Sequence, residues 1–563
     1  MKQLIECVPN FSEGRDLTII KQITDAIESV EGVKLLDVDP GKATNRTVVT
    51  FVGEPAPVIE AAFQAIRKAC ELIDMRKHSG EHPRMGATDV CPLIPVSNIS
   101  MAETADWARR LGERVGNELG LPIYLYEAAA SRPERQNLAA IRAGEYEALP
   151  DKLARPEWKP DFGPAAFHAK SGATVIGARD FLVAYNINLN TTSTRRANSV
   201  AFDVREIGRV ITDPASGKPK QDANGEPLRQ PGVLKGVKAI GWYIEEYGIA
   251  QISMNITDVQ ATPLYRAFEA CRESADRRGM RVTGSELVGL VPLDVLLEAG
   301  RFFLKKQERS AGVSEEELIR IAVKSMGLDE LAPFDPQRKI IEYNIAQDDP
   351  ATAKKLVRKD LRAFANEAAS ESPAPGGGSV SAYVGALGVS LATMVANLSA
   401  HKRGWDERWA EFSAVAEQGQ RIKDALLRAV DEDTDAFNAI MEAFGLPKGS
   451  PEEKAARSAA IQEATRGAIE VPLRVLRLAL ESMPLIRQMV ETGNPNSITD
   501  AGVGALCART AVFGAALNVK VNATGLSDKA YGARVVAEAD AAIAEATRLE
   551  AGILAIVREK MGV

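Results

Sequence analysis

Across residues 1 to about 330 the apolar positions keep changing period. Short runs rich in β-branched side chains, at Val33–Val38, Thr47–Val52, Phe181–Leu189 and Ala250–Ile256, read as strands. Stretches with apolar residues every third or fourth position, at Ala56–Ile73 and Met101–Leu119, read as helices. Strands and helices alternate, so this half is expected to be α+β with open sheets. Phe181–Leu189 looks like a strand that starts a second sheet, which divides the half into subdomains 1–180 and 181–330. Asp213–Pro231 is polar and rich in Pro, Gly, Lys and Asp, and predicts a surface hairpin or flexible insert.

After an expected linker at 331–354 the chain becomes Ala-rich and loses its strand signal. Helices are predicted at Lys355–Ala369, Val380–Asn397, Trp409–Phe444, Pro451–Met483, Asp500–Asn518 and Ala530–Lys560, so 355–563 reads as an all-α bundle. Two local patterns in one chain argue for two separately folding units with two jobs. Pro373–Ala400 is uncharged and long enough to cross a bilayer. Its Gly, Ser, Thr and Asn content predicts a buried bundle helix instead, with no membrane role.

One periodic stretch carries chemistry. Leu426, Val430, Asp433, Phe437, Ile440 and Phe444 follow alternating spacings of four and three, one face of a helix. Five are apolar and the sixth is an aspartate, so Asp433 is expected to face the bundle. A buried carboxylate is paired, protonated or functional; a structural ion pair to Arg421 or Arg509 is the alternative. Asp431 and Asp435 lie on a neighbouring face and are expected to be solvated. Two loop-to-helix junctions are candidates to complete this site. Gly376-Gly377-Gly378-Ser379 leads into the uncharged helix, and Asn494 to Asp500 precedes another helix rich in Gly and Ala. Free N–H groups at helix starts favour anions, although Ser379 and Thr499 are also ordinary caps.

Composition narrows the class. The 563 residues carry a formal charge of -7, with 45% apolar and 26% charged residues, an ordinary globular balance that gives nucleic acid no general attraction. The five cysteines are odd in number and show no C-x-x-C spacing, which predicts a reducing, cytoplasmic setting. The N-terminus lacks the long apolar core of a secretory leader.

Of the four histidines, two fall in His78-Ser79-Gly80-Glu81-His82-Pro83. The string matches the H-x-x-E-H zinc pattern, but Gly80 and Pro83 oppose the helix that pattern needs. The remaining readings are a solvated loop or an imidazole acting as general base. Asp39 and Arg46 lie in the segment Asp37 to Arg46, read as a turn after an early strand, where ligand contacts and plain turn chemistry are both common. Gly163-Pro164-Ala165-Ala166-Phe167-His168-Ala169-Lys170-Ser171-Gly172 is a Gly-bounded loop that could admit a flat heterocycle or be an ordinary connection.

Taken in order, several of these segments resemble the formimidoyltransferase-cyclodeaminase family of bifunctional folate enzymes. The likeness is carried by Glu6-Cys7-Val8-Pro9-Asn10-Phe11-Ser12-Glu13-Gly14, Thr44-Asn45-Arg46-Thr47, Gly80-Glu81-His82-Pro83-Arg84-Met85-Gly86, Ile141-Arg142-Ala143-Gly144-Glu145-Tyr146-Glu147, Asp161-Phe162-Gly163-Pro164 and Ala374-Pro375-Gly376-Gly377-Gly378-Ser379. The acidic helix around Asp433 completes it. The resemblance implies a two-subdomain transferase followed by a helical cyclodeaminase. It implies transfer of a formimino group from N-formimino-L-glutamate to tetrahydrofolate, then closure to 5,10-methenyltetrahydrofolate with loss of ammonia. Tetrahydrofolate is then a co-substrate, no metal is expected, and a homo-oligomer built from dimers is expected. By resemblance His82 matches the transferase catalytic histidine, Gly163–Gly172 the folate-binding loop and Asp433 the cyclodeaminase aspartate. Asp39, Arg46, Gly376, Gly377, Gly378, Asn494 and Asp500 are added here as candidate binding residues. The stretch Asp213–Pro231 looks longer than the family's usual connection. A folate-binding protein with one active domain, and a zinc hydrolase built on His78 and His82, are the competing readings.

Overall fold

The computed structural model describes residues 3–222, 224–347 and 355–562. They form two compact units. The first holds the chain up to Ala299 together with Ala322–Gln347; the second holds Gly300–Ile321 together with the chain from 355 on.

The first unit contains two sheets. In the first sheet, strands β1 (Leu4–Cys7) and β2 (Asn10–Phe11) are two pieces of one line interrupted at Val8 and Pro9. They lie between β4 (Arg46–Gly53) and β5 (Thr88–Ser97), antiparallel to both. β3 (Val33–Gly41) pairs only with β4 and forms one edge. Beyond β5 the sheet continues in parallel through β7 (Thr174–Ala178) to β6 (Ile123–Glu127). Alternation along β1 decides which side chain faces what. Ile5 and Cys7 join the core made with helices α1 (Leu17–Glu28), α2 (Pro55–Leu72) and α3 (Met101–Leu119). Glu6 and Val8 face the opposite way, into a cavity.

The second sheet is antiparallel, ordered β11 (Val237–Ile244), β12 (Ile249–Ile256), β8 (Val183–Leu189) and β13 (Val282–Val288). Helices α6 (Thr194–Val204) and α7 (Leu264–Asp276) cover one face, and Ala184, Asn186, Gln251, Ser253 and Glu286 point from the other into the same cavity. Between these strands, β9 (Arg209–Val210) pairs with β10 (Arg229–Gln230), so the segment Asp213–Pro231 is largely an exposed hairpin.

Three sequence expectations change. Asp37 and Asp39 do not sit in a turn: β3 runs on to Gly41 and the turn is Lys42–Asn45. Pro40 is tolerated there because an edge strand leaves some N–H groups unpaired anyway. Residues 336–347, read as linker, form helices α10 (Pro336–Lys339) and α11 (Ile341–Gln347), tied to β3 by the Lys34 ammonium donating to Asn344 O and the Asn344 amide donating to Leu36 O at 2.8 Å. Of the rest of the expected linker, 331–335 is irregular and 348–354 lies outside the described residues. Gly300–Ile321, assigned from sequence to the first half, packs instead with the helical unit. Ala311 N donates to Ser413 Oγ at 3.0 Å, and the Asn397 and Gln420 amides donate to Gly312 O at 2.8 and 3.1 Å.

In the second unit α12 (Leu361–Ala368) precedes five long helices: α13 (Gly377–Ala400), α14 (Trp409–Gly445), α15 (Pro451–Thr492), α16 (Ile498–Thr524) and α17 (Lys529–Met561). They share one core. Two stretches, Gly377–Ala400 and Pro495–Thr524, are long and apolar enough to cross a membrane by composition. Both pack against each other: a Cβ at Gly388 would stand 2.9 Å from Cys507 Cβ and from Gly504 O, so this crossing needs its small residues. α15 runs through Pro472 and Pro484 to Thr492, past the Met483 end expected from sequence. Burial of Leu485, Ile486, Met489 and Val490 offsets the lost hydrogen bond.

Candidate functional site

The cavity between the two sheet faces measures about 400 Å³. His82, Asp39 and Arg46, three residues proposed from sequence, all line it. His82 arrives on an irregular segment held against the turn Lys42–Asn45. Gly80 permits that approach, since a Cβ there would lie 2.2 Å from Thr44 O. The segment is not helical, which removes the geometry the zinc pattern requires. Both ring nitrogens of His78 are also engaged, Nε2 with Asn45 O at 2.8 Å and Nδ1 with Arg84 Nε at 3.3 Å. The zinc reading is therefore set aside.

His82 Nδ1 lies 2.7 Å from Pro83 O. A carbonyl only accepts, so Nδ1 carries the proton and Nε2 keeps its lone pair. Burial, and then the positive fields of Arg46 and Arg142, push this imidazole down to about 3. The two guanidiniums converge on one carboxylate. Asp89 Oδ2 accepts from Arg46 and from Arg142 Nη2 at 2.7 Å, while Oδ1 accepts Met85 N at 2.9 Å. Those cations hold the fully buried Asp89 carboxyl at about 2 despite its burial. Two cations against one anion leave an excess positive charge beside a neutral imidazole, a setting that attracts a substrate carboxylate. Arg46 Nε also donates to Asn10 Oδ1 at 3.0 Å. Asp39 Oδ2 accepts Gly289 N at 3.0 Å, joining the two subdomains at the rim.

Asp89 escaped the sequence reading, and Glu6 and Arg142 entered it only within motifs. All three depend on which way a strand or short helix turns. Nothing in the local pattern marks that direction until the second sheet is in place.

The loop Gly163–Gly172 is not part of the cavity lining. It stands on the segments either side of His82, through the Met75 N bond to Lys170 O at 2.8 Å before it and the Gly86–Gly172 bridge after it. Its exposed Phe167 ring lies 5.3 Å from that of Tyr146. The short run Pro83–Gly86 thus connects the His82 end of the cavity to this loop.

In the helical unit Asp433 Oδ2 accepts from Ser379 Oγ at 2.8 Å, at the start of α13. A Cβ on Gly378 would fall 2.1 Å from Asp433 Oδ1, so the glycine is what admits the carboxylate. Burial raises the Asp433 carboxyl above its ordinary range, against the hydrogen bonds from Ser379. The alternative, an ion pair to Arg421 or Arg509, is not formed: Arg509 pairs with Glu550, and Arg421 is exposed. The stripe is buried only as far as Val430. Asp433, Phe437 and Ile440 are half-buried and Phe444 is 50% exposed, so the aspartate stands where the face emerges. Asp431 is half-buried rather than solvated, since it accepts Leu356 N at 2.6 Å; Asp435 is exposed.

Asn494 and Asp500 do not join Asp433. Asn494 N binds Ser399 Oγ at 2.8 Å, at the far end of α13. Twenty residues of helix separate Ser379 from Ser399, about 30 Å at 1.5 Å per residue. α16 runs antiparallel to α13, so its first turn, with Asp500, is carried away from Gly376–Gly378.

Comparison with known proteins assigns three stretches of the chain. A family described as "Formiminotransferase domain, N-terminal subdomain" matches residues 4–179, "Formiminotransferase domain" matches 184–346, and "Formiminotransferase-cyclodeaminase" matches 360–541. A formimidoyltransferase-cyclodeaminase of Rattus norvegicus is 46% identical over 531 residues, 94% of each chain. A glutamate formimidoyltransferase of Thermoplasma acidophilum is 45% identical over 54% of this chain and 92% of its own. A methenyltetrahydrofolate cyclohydrolase of Methylorubrum extorquens is 41% identical over 36% of this chain and 97% of its own.

Proposed function

This chain belongs to the formimidoyltransferase-cyclodeaminase family, and from that premise we propose how its two units divide the work. It is a bifunctional enzyme that moves a formimino group from formiminoglutamate to tetrahydrofolate and then closes the ring with release of ammonia. The observation that carries the first assignment is a neutral imidazole with a free Nε2 at one end of a cavity that also holds two arginines.

In the transfer step nitrogen-5 of tetrahydrofolate attacks the formimino carbon. His82 Nε2 takes the proton from that nitrogen and returns it to the glutamate amine as the C–N bond breaks. Arg46 and Arg142 hold substrate carboxylate. Its negative charge offsets the field that keeps His82 acidic, so binding raises the basicity of the imidazole when a base is needed. The folate spans from the cavity past His82 towards Gly163–Gly172. In the helical unit nitrogen-10 attacks the same carbon and ammonia leaves. Asp433 moves the proton between them, held by Ser379 and bounded by Gly378. Exposed Leu387, Met394 and Leu398 on α13 and Leu506, Leu517 and Val521 on α16 support a homo-oligomer.

The test assays each step alone. His82→Ala should lower transfer by about 10²–10⁴-fold and leave ring closure from supplied 5-formiminotetrahydrofolate intact. Asp433→Ala should do the reverse. Loss of the same step in both variants would refute the division.

A further inference from the structure

Glu6 is a buried acid in the cavity that the transfer step leaves unused. It sits on β1, is 2% exposed, and its Oε2 has no hydrogen-bond partner among the described residues. Its backbone pairs with Val52 on β4 and Ile94 on β5. The His82 end of the cavity lies at Arg46 and Val90 on those same strands. Four residues separate Val90 from Ile94, about 13 Å at 3.3 Å per residue. Arg179 also lines the cavity and is the cation that acts on Glu6.

A buried carboxylate oxygen without a donor is a vacancy for a ligand's N–H groups. Resting on the transferase reading above, the choice of ligand follows from the chemistry of the two substrates. Their carboxylate tails are repelled by Glu6. Paired N–H donors occur in two places only: the formimino group, which reacts beside His82, and the 2-amino and N3–H edge of the pterin ring. Hydrogen bonds of about 3 Å at each end leave about 7 Å of that strand spacing, which suits a fused two-ring system lying along it. We propose that Glu6 is the specificity residue for the pterin, accepting the 2-amino and N3–H donors through both carboxylate oxygens. Burial lifts its carboxyl to about 7, against the pull of Arg179, which is the state of an acid awaiting donors.

The experiment is a chemical cycle on the full-length protein. Equilibrium binding and transfer kinetics are measured for wild type and Glu6→Gln, each with tetrahydrofolate and with its 2-desamino-2-methyl analogue. Wild type should bind the analogue about 10–100-fold more weakly, the loss expected for hydrogen bonds to a charged group. Glu6→Gln should bind tetrahydrofolate about tenfold or more weakly, and should distinguish the two ligands by less than about threefold. Equal discrimination by both proteins overturns the proposal. So does a wild type that binds the two ligands alike, a result that needs no variant to fold. Failure of the transferase reading shows separately, as folate binding with discrimination but no turnover.

Discussion

At the scale of single residues, charge around His82 makes the sharpest prediction. Burial, reinforced by Arg46 and Arg142, keeps its imidazole neutral down to about 3, so the acidic limb of kcat/KM for transfer should stay flat down to about pH 5. Arg142→Gln removes one cation and should move that limb upward, towards the ordinary histidine range near 6.5. An unmoved limb would mean that another group sets it. Glu6 gives a stability prediction of opposite origin. Its carboxyl rises from 4.5 to about 7 on folding, so the folded state holds the proton more tightly. Stability from this group is complete below pH 4.5 and is lost as pH rises through 7. Glu6→Gln should therefore raise Tm at pH 8 by several degrees and leave it nearly unchanged at pH 4, as calorimetry will show. His82 was legible in the sequence because histidine is rare here and Gly80 and Pro83 bound it. Asp433 was legible because one acid interrupted an apolar stripe. Glu6 was not, since a period of two says that Ile5 and Glu6 face opposite ways but not that a second sheet waits opposite Glu6.

Among elements, the contact between α13 and α14 turns on Gly378. Adding one methyl there displaces Asp433, so Gly378→Ala should abolish ring closure while transfer continues at its normal rate. Retained closure in that variant would show that the carboxylate need not sit at the start of α13. Beyond the half-buried β9, the described residues of the β9–β10 hairpin are almost all exposed. Replacing Thr212–Leu228 with a two-residue turn should leave both kcat values within about twofold, as expected for surface changes of little energetic weight. Helix positions were readable because Ala-rich amphipathic segments carry their own period. Their ends were less so: α15 passes Pro484 because burial on the far side outweighs a broken hydrogen bond, a tertiary effect with no local mark. Likewise Asp39 was assigned to a turn because Pro40 and Gly41 look like one, although an edge strand accepts both.

For the whole molecule, the two halves were visible as a change of pattern, but the boundary was not a single cut. Residues 300–321 interrupt the first unit in sequence and pack in the second. Ending the chain at Gln347 should therefore lower solubility and Tm, because Ala311 and Gly312 lose Ser413, Asn397 and Gln420. A truncated protein as stable as the full chain would contradict this. The same interleaving has a cost during synthesis. A ribosome adds about 5–20 residues per second, so Gly312 waits roughly 5–20 s before Gln420 emerges to cover it. For that interval the nascent polypeptide exposes an apolar strip in mid-chain, which makes translation speed and chaperone supply determinants of yield for this enzyme.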